Sequence, residues 1–175
     1  MTPEQWNDRL AELHAALQAR HESVAVAESL TGGLLAGELT RTPGASASFR
    51  GGLVVYATDL KSRLAGVSES LLAERGAVDP AVAVELARGV RERLSATWGV
   101  GVTGVAGPEP QDGRPVGTVF VGIVGPRDGV LEESVSELKL AGDRNTIRSH
   151  TVEQTVALLG GLILDRAGQP GRNLS

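Results

Sequence analysis

In the stretch Val24-Ala25-Val26-Ala27-Glu28-Ser29-Leu30-Thr31-Gly32-Gly33, a short valine-rich apolar run gives way at Glu28-Ser29 to leucines at helical spacing. The run has the character of a buried parallel strand, and Leu34, Leu35 and Leu39 belong to the helix that follows. Ser29 is therefore expected where a strand becomes a helix. Gly32 and Gly33, placed in the first helical turn, remove Cβ atoms where a ligand comes close, and the first amides of a helix lack internal partners. Together with the positive end of the helix dipole, those amides favour a phosphate or an oxyanion. A hydroxyl in that position is a candidate nucleophile beside its own anion stabiliser. Serine is also a favoured N-cap residue, and taken alone the cap is the commoner role.

Toward the N-terminus, Thr2-Pro3-Glu4-Gln5 has capping-box spacing and leads into Trp6, Leu10, Leu13 and Leu17, an amphipathic helix covering a sheet. On the other side, Thr42-Pro43-Gly44 ends the helix after Ser29, and a polar loop covers Ala45 to Arg50. Gly51 to Tyr56 reads as a second strand, followed by a short helix capped by Thr58 or Asp59 and carrying Lys61 and Leu64. Ser68 to Leu72 opens another helix closed by Gly76, and Asp79-Pro80 opens a longer one through Val82, Leu86, Val90 and Leu94. Gly99 to Thr103 is a third strand running into the loop Gly104 to Pro108. Pro115 to Gly125 is a long alternating strand, Pro126 to Gly129 a turn, and Val130 to Leu138 a more polar antiparallel edge strand. Asp143 caps a final helix through Ile147, Val152, Val156, Leu159 and Ile163, and the tail from Gly168 is predicted to be disordered. The expected fold class is α/β: one three-layer α/β/α domain over residues 1–167 with a mixed, mostly parallel sheet.

Composition narrows the function classes. With 175 residues, 41% hydrophobic residues and mean hydropathy of -0.01, the chain suits one soluble domain. No apolar run reaches the length of a membrane span and no signal-peptide pattern opens the chain, so a cytoplasmic location without a membrane partner is expected. The absence of cysteine removes disulfides and thiolate chemistry. A net charge of -4 and five aromatic residues argue against a nucleic-acid footprint.

Ligands of such sheets bind beyond the carboxyl ends of the strands. Three of those ends carry unusual loops: Glu28 to Gly33, Tyr56 to Lys61, and Thr103 to Pro108. Their convergence would assemble a Ser-Lys amidohydrolase inventory from Ser29, Tyr56, Lys61, Thr103 and glycine amides. Lysine acts as a base only where burial or neighbouring cations lower its pKa, and Tyr56 would relay the proton or orient the amine. On spacing alone, a solvated Lys61 and a half-buried Tyr56 are the commoner fates. The Thr103 to Pro108 loop is either an anion nest or a plain connection. Arg144 and Arg148, one turn apart, form either a fork for a phosphate or carboxylate or a solvated face. Glu28 is costly to bury unless it is paired or binds substrate. Gly99-x-Gly101-x-x-Gly104 matches a dinucleotide fingerprint literally but is followed by proline rather than a helix. His14, His21 and His150 lack ligand spacing, so no metal is expected. Thr58-x-x-Lys61 lacks the companion segments of penicillin-binding enzymes.

A family resemblance rests on Ala27-Glu28-Ser29-Leu30-Thr31-Gly32-Gly33, Pro43-Gly44-Ala45-Ser46, Phe49-Arg50-Gly51-Gly52, Tyr56 with Lys61, Leu64-Ala65-Gly66-Val67 and Gly76-Ala77-Val78. It continues through Thr103-Gly104-Val105-Ala106-Gly107-Pro108, Pro115-Val116-Gly117-Thr118-Val119 and Gly142-Asp143-Arg144. In order and spacing these segments resemble the CinA C-terminal domain family over nearly the whole chain. The resemblance implies a stand-alone nicotinamide-nucleotide amidase. Such an enzyme hydrolyses nicotinamide mononucleotide to nicotinate mononucleotide and ammonia in pyridine nucleotide salvage, without a cofactor, as a homodimer. The family's serine, lysine and tyrosine fall on Ser29, Lys61 and Tyr56, which reverses the order of readings given above for these residues. The substrate-binding positions expected with them are Glu28, Thr31, Gly32, Gly33, Ser46, Thr103, Gly104, Ala106, Gly107 and Arg144. Either glycine loop could hold the oxyanion and the other, with Arg144, the 5′-phosphate. The chain departs at Ala57-Thr58, where the family often has Ser-Asn. The alternative is a non-catalytic nucleotide- or partner-binding module, which the family's link to competence and DNA damage suggests. Hydrolysis of another small amide is a third option.

Overall fold

The computed structural model describes residues 1–164, so the predicted tail lies outside the described residues. The elements in order are α1 (Pro3–Ala19), β1 (Val24–Glu28), α2 (Leu34–Leu39), a 3-10 turn (Ala45–Ala47), β2 (Phe49–Val54), α3 (Thr58–Ala65) and α4 (Glu69–Arg75). They continue with α5 (Pro80–Arg93), β3 (Trp98–Gly104), β4 (Thr118–Arg127), β5 (Val130–Lys139) and α6 (Arg144–Leu164). The sheet order is β2-β1-β3-β4-β5. β1 pairs in parallel with β2 and β3, while β4 is antiparallel to both β3 and β5. Four strands thus share one direction and β4 alone is reversed: a mixed α/β sheet.

Helices cover both faces. On one side α1, α2 and α6 bury Leu10, Leu13, Leu17, Leu35, Leu39, Ile147, Val156 and Leu159 against Val26, Val100, Val102, Val121 and Ile123. On the other, α3 and α5 pack Ala65, Val82, Leu86 and Val90 on Ala25 and Ala27. β1 and β3 are therefore buried throughout, as strands covered on both faces must be. β4 does not alternate inside and outside: Thr118 to Gly125 are all buried, because Val119, Val121 and Ile123 face one helical layer while Phe120 meets Ala83 of the other.

α5 lies unusually deep. A Cβ on Gly99 would come 2.0 Å from the Ala87 carbonyl oxygen, and on Gly101 or Gly122 it would come 2.2 or 2.3 Å from that of Ala83. Gly99 and Gly101 of the apparent dinucleotide fingerprint thus make room for helix backbone against strand backbone, while Gly104 makes room for Thr118 and Val119 of β4.

Capping chemistry accounts for most helix starts. Thr2 and Gln5 form the reciprocal capping box, Asp79 accepts from Ala81 N–H, and Asp143 accepts from Thr146 N–H. That last bond holds the Asp143 carboxyl below its ordinary pKa. α3 differs from expectation: its N-cap is Ala57, with no side-chain bond, and Thr58 is already helical. The β4–β5 turn also tightens to Asp128-Gly129, both in left-handed conformation.

Candidate active site

The junction after β1 is built differently from a simple helix start. α2 begins at Leu34 and has six residues, so Ser29 is not its N-cap. Gly32 and Gly33 precede the helix with φ of +59° and +96°, conformations that L side chains rarely adopt. Glu28 closes the helix end instead. Its fully buried carboxylate accepts hydrogen bonds from Gly33 N–H at 3.0 Å, Leu35 N–H at 3.0 Å and Ala36 N–H at 2.8 Å. The amides expected to receive phosphate are therefore occupied by the chain's own carboxylate, and Glu28 serves the loop rather than the cleft. A buried carboxylate tolerates the loss of water when several N–H groups replace it.

From the opposite side, Arg148 on α6 grips the same loop. Its Nε donates to Leu30 O and its Nη2 to Thr31 O, both at 3.0 Å. Sequence spacing suggests a phosphate fork for Arg148, but the structure uses it as a clamp on two consecutive carbonyls. Gly32 N–H closes the turn on Ser29 O at 3.1 Å. Thr31 is buried, and among the described residues its Oγ1 has no hydrogen-bond partner. Among the described residues, no acceptor meets the amide of Leu30.

Lys61 is the other unusual side chain, being 1% exposed on α3. Its Nζ donates to the carbonyls of Val55 at 2.9 Å and Tyr56 at 3.2 Å. Burial lowers its pKa from the ordinary 10.5 to about 8, opposed in part by the charges of Asp112 and Asp59. The ladder that pairs Glu28 with Val54 continues with Val55 N–H donating to Glu28 O. The carbonyls holding Lys61 therefore sit at the strand end next to that of Ser29, about 5 Å across the sheet. No hydrogen bond joins Ser29 Oγ to Lys61 Nζ among the described residues. The Tyr56 phenol does not face the amine either. It accepts a hydrogen bond from Arg144 Nη2, and Tyr56 meets Lys61 only through its main-chain carbonyl.

A cleft of about 100 Å³ opens over the carboxyl ends of β1 and β3. It is lined by Ser29, Tyr56, Thr103, Gly104, Ala106, Gly107 and Arg144, so seven expected site residues converge there. Arg144 bridges the cleft by donating to Gly107 O at 2.7 Å as well as to Tyr56. The Thr103 hydroxyl donates to Ala77 O at 2.7 Å, which leaves it a wall rather than a reactive group. The amides of Ala106 and Gly107 meet no acceptor among the described residues. Thr31, Gly32 and Gly33, in the loop that carries Ser29, do not line the cleft.

Ser46 is set apart. It occupies the 3-10 turn that precedes β2, beside Gln18, His21, Ser23 and Ser95 at the amino edge of the sheet. That edge lies the length of β1, roughly 17 Å, from Ser29. The segment is held there by buried His14, whose ring contacts Ser48 Oγ and Leu39 O, each at 2.7 Å. A serine in a short Pro-Gly motif carries no local sign of which sheet edge it will occupy.

Sequence reasoning also missed Leu30, Ala77, Val78, Glu109 and Gln111 as cleft residues. The last two belong to the polar continuation of the Thr103 to Pro108 loop. Asp112 in the same continuation accepts from Ala77 N–H at 2.7 Å and Val78 N–H at 3.2 Å, tying that wall to the start of α5. The cleft offers a hydroxyl, a guanidinium and open amides, while Lys61, which does not line it, holds a buried amine of lowered pKa at the adjoining strand end. These are the parts of acyl-transfer chemistry.

Among the described residues no helix is long and apolar enough to cross a membrane, and no cluster of potential metal ligands occurs. Residues 7–163 match the model of the CinA C-terminal domain. A CinA-like protein of Frankia casuarinae is 50% identical over 159 residues, covering 91% of this chain and 35% of that protein. A CinA-like protein of Acidobacterium capsulatum is 46% identical, covering 82% of this chain and 34% of that protein. The chain thus spans about a third of the length of these relatives. The crystal structure of the competence/damage inducible protein CihA from Agrobacterium tumefaciens superposes with a TM-score of 0.83 at 32% identity, covering 93% of this chain and 98% of that one. A competence damage-inducible protein from Klebsiella pneumoniae gives 0.82 at 30%, covering 94% and 99%. On the match of residues 7–163 and the 50% identity to the Frankia protein over 91% of this chain, the chain belongs to the CinA C-terminal domain family.

Proposed function

We propose that the chain is a nicotinamide-nucleotide amidase, converting nicotinamide mononucleotide and water to nicotinate mononucleotide and ammonia. Ser29 Oγ attacks the carboxamide carbon while Lys61 Nζ takes its proton. The tetrahedral intermediate then collapses as Lys61 returns that proton to the departing nitrogen, leaving an acyl ester on Ser29 and free ammonia. Water, deprotonated by Lys61, attacks the acyl carbon, the bond to Ser29 Oγ breaks as Lys61 returns the proton to that oxygen, and nicotinate mononucleotide leaves. The occupied amides at the start of α2 direct the phosphate away from that helix, toward Arg144 and the amides of Ala106 and Gly107. The Leu30 amide, next to the nucleophile, is then the donor for the oxyanion. A cleft of about 100 Å³ takes the carboxamide-bearing ring and leaves the rest of the nucleotide at its mouth.

The observation that carries this reading is Lys61: a fully buried amine with pKa about 8 at the strand end adjoining Ser29. Ammonia release from nicotinamide mononucleotide is expected from the unaltered protein and should be lost in both Ser29→Ala and Lys61→Ala. Full turnover in either variant ends the proposed mechanism. The missing Ser29–Lys61 hydrogen bond favours a second reading, a nucleotide-binding module without chemistry. Calorimetric binding of the nucleotide with no ammonia released over hours would select it. By the same resemblance we propose a homodimer in the cytoplasm.

A further inference from the structure

Setting aside the Tyr56 phenol, two ionisable side chains among the described residues line the cleft, and they are opposite in sign: Arg144 and Glu109. Arg144 is engaged by Gly107 O and the Tyr56 phenol. Glu109 is exposed, and its carboxylate has no hydrogen bond or ion pair among the described residues. The other carboxylates beside this wall are committed to structure. Asp112 accepts the Ala77 and Val78 amides, and Asp79 caps α5 and faces Arg75 at 3.9 Å and Arg114 at 3.8 Å.

The segment that carries Glu109 is fastened down. Gln111 and Arg114 exchange backbone hydrogen bonds of 3.2 and 2.8 Å, Asp112 anchors to the next loop, and the Arg114 guanidinium rests 5.3 Å from the centre of the Phe120 ring. Glu109 therefore presents an uncommitted negative charge from a braced wall, on the same cleft as an arginine with which it is not paired. Such a cleft suits a ligand carrying both signs, with the anion at Arg144 and the cation at Glu109.

We propose that Glu109 is a specificity-determining residue that favours substrates whose amide-bearing ring is positively charged, a pyridinium rather than a neutral ring. The inference rests on the amidase reading for its substrate and adds a basis for choosing among amides. A carboxylate at the mouth attracts the cationic ring before it enters and gives nothing to the neutral one, so it acts on selection rather than on the bond broken.

The test compares ammonia release from nicotinamide mononucleotide with that from its reduced, neutral-ring form, in the unaltered protein and in Glu109→Gln, at low and high salt. The preference in kcat/KM for the cationic ring should fall about three- to fivefold in Glu109→Gln, with the difference shrinking at high salt. An unchanged preference overturns the proposal. A parallel calorimetric titration uses 1-methylnicotinamide, cationic, against nicotinamide, neutral. If neither protein releases ammonia but the binding preference for the cation is lost in Glu109→Gln, the amidase reading fails and charge selection stands. If the two rings bind alike in the unaltered protein, or bind to neither protein, charge selection fails whatever the turnover.

Discussion

Raising the pH should switch this protein on through one residue. With a pKa of about 8, Lys61 is neutral in roughly 9% of molecules at pH 7, against roughly 0.03% for an ordinary lysine, a gain near 300-fold in competent base. The value of kcat/KM for ammonia release should therefore climb about tenfold per pH unit below pH 8 and flatten above it. Stability should follow the same group. The folded amine loses its proton near 8 and the unfolded one near 10.5, so between those values the unfolded chain binds more protons and stability rises with pH, by up to about 3 kcal/mol. Below about 8 that gain is absent, and Lys61→Met should abolish the alkaline rise. The chain holds two lysines, Lys61 and Lys139, and one tyrosine, so the range is uncluttered. Isotope-labelled lysine NMR would show two side-chain signals, with the Lys61 signal moving near pH 8. A Lys61 signal that titrates near 10.5, or a rate profile flat from pH 6 to 9, would refute the reasoning.

Four further outcomes are expected. Glu28→Ala strands the Gly33, Leu35 and Ala36 amides and should cost about 3 kcal/mol in denaturant unfolding, with Glu28→Gln milder because it keeps an acceptor. Arg148→Met frees the Leu30 and Thr31 carbonyls, so kcat should drop about tenfold or more with KM little changed, and added guanidinium should restore part of the rate. Gly101→Ala drives a methyl into the Ala83 carbonyl and should destabilise by about 3 kcal/mol, read as a lowered melting temperature. Light scattering should give twice the 18.1 kDa chain mass if the exposed β5 edge, where Val130 is 68% exposed, or another face pairs copies; a monomeric mass would remove the dimer.

Where local chemistry decides, the sequence is legible. Thr2, Ser68, Asp79 and Asp143 announce their helices because a cap needs only neighbouring amides. The apolar runs of β1 and β3 announce burial on both faces for the same local reason. What stayed hidden depends on partners far along the chain. Nothing near Arg148 signals that its guanidinium will meet carbonyls 117 and 118 positions away, and nothing near Lys61 signals that strand-end carbonyls will enclose it. Glu28 was recognisable as a buried carboxylate in need of partners, but those partners are amides five to eight residues on rather than a substrate. Ser46 lies apart from the cleft because a motif fixes order along the chain, while the edge it reaches depends on α2 crossing the sheet first.

The bare floor of Gly99, Gly101 and Gly122 beneath α5 acts as a depth stop. The helix rests on main chain and cannot sink further, and Ala77 and Val78, just ahead of it, form a lip of the cleft. Any bulk added to that floor must lift the helix and carry the lip outward. The aperture above Ser29 is thus gauged from inside the sheet, by residues outside the cleft lining.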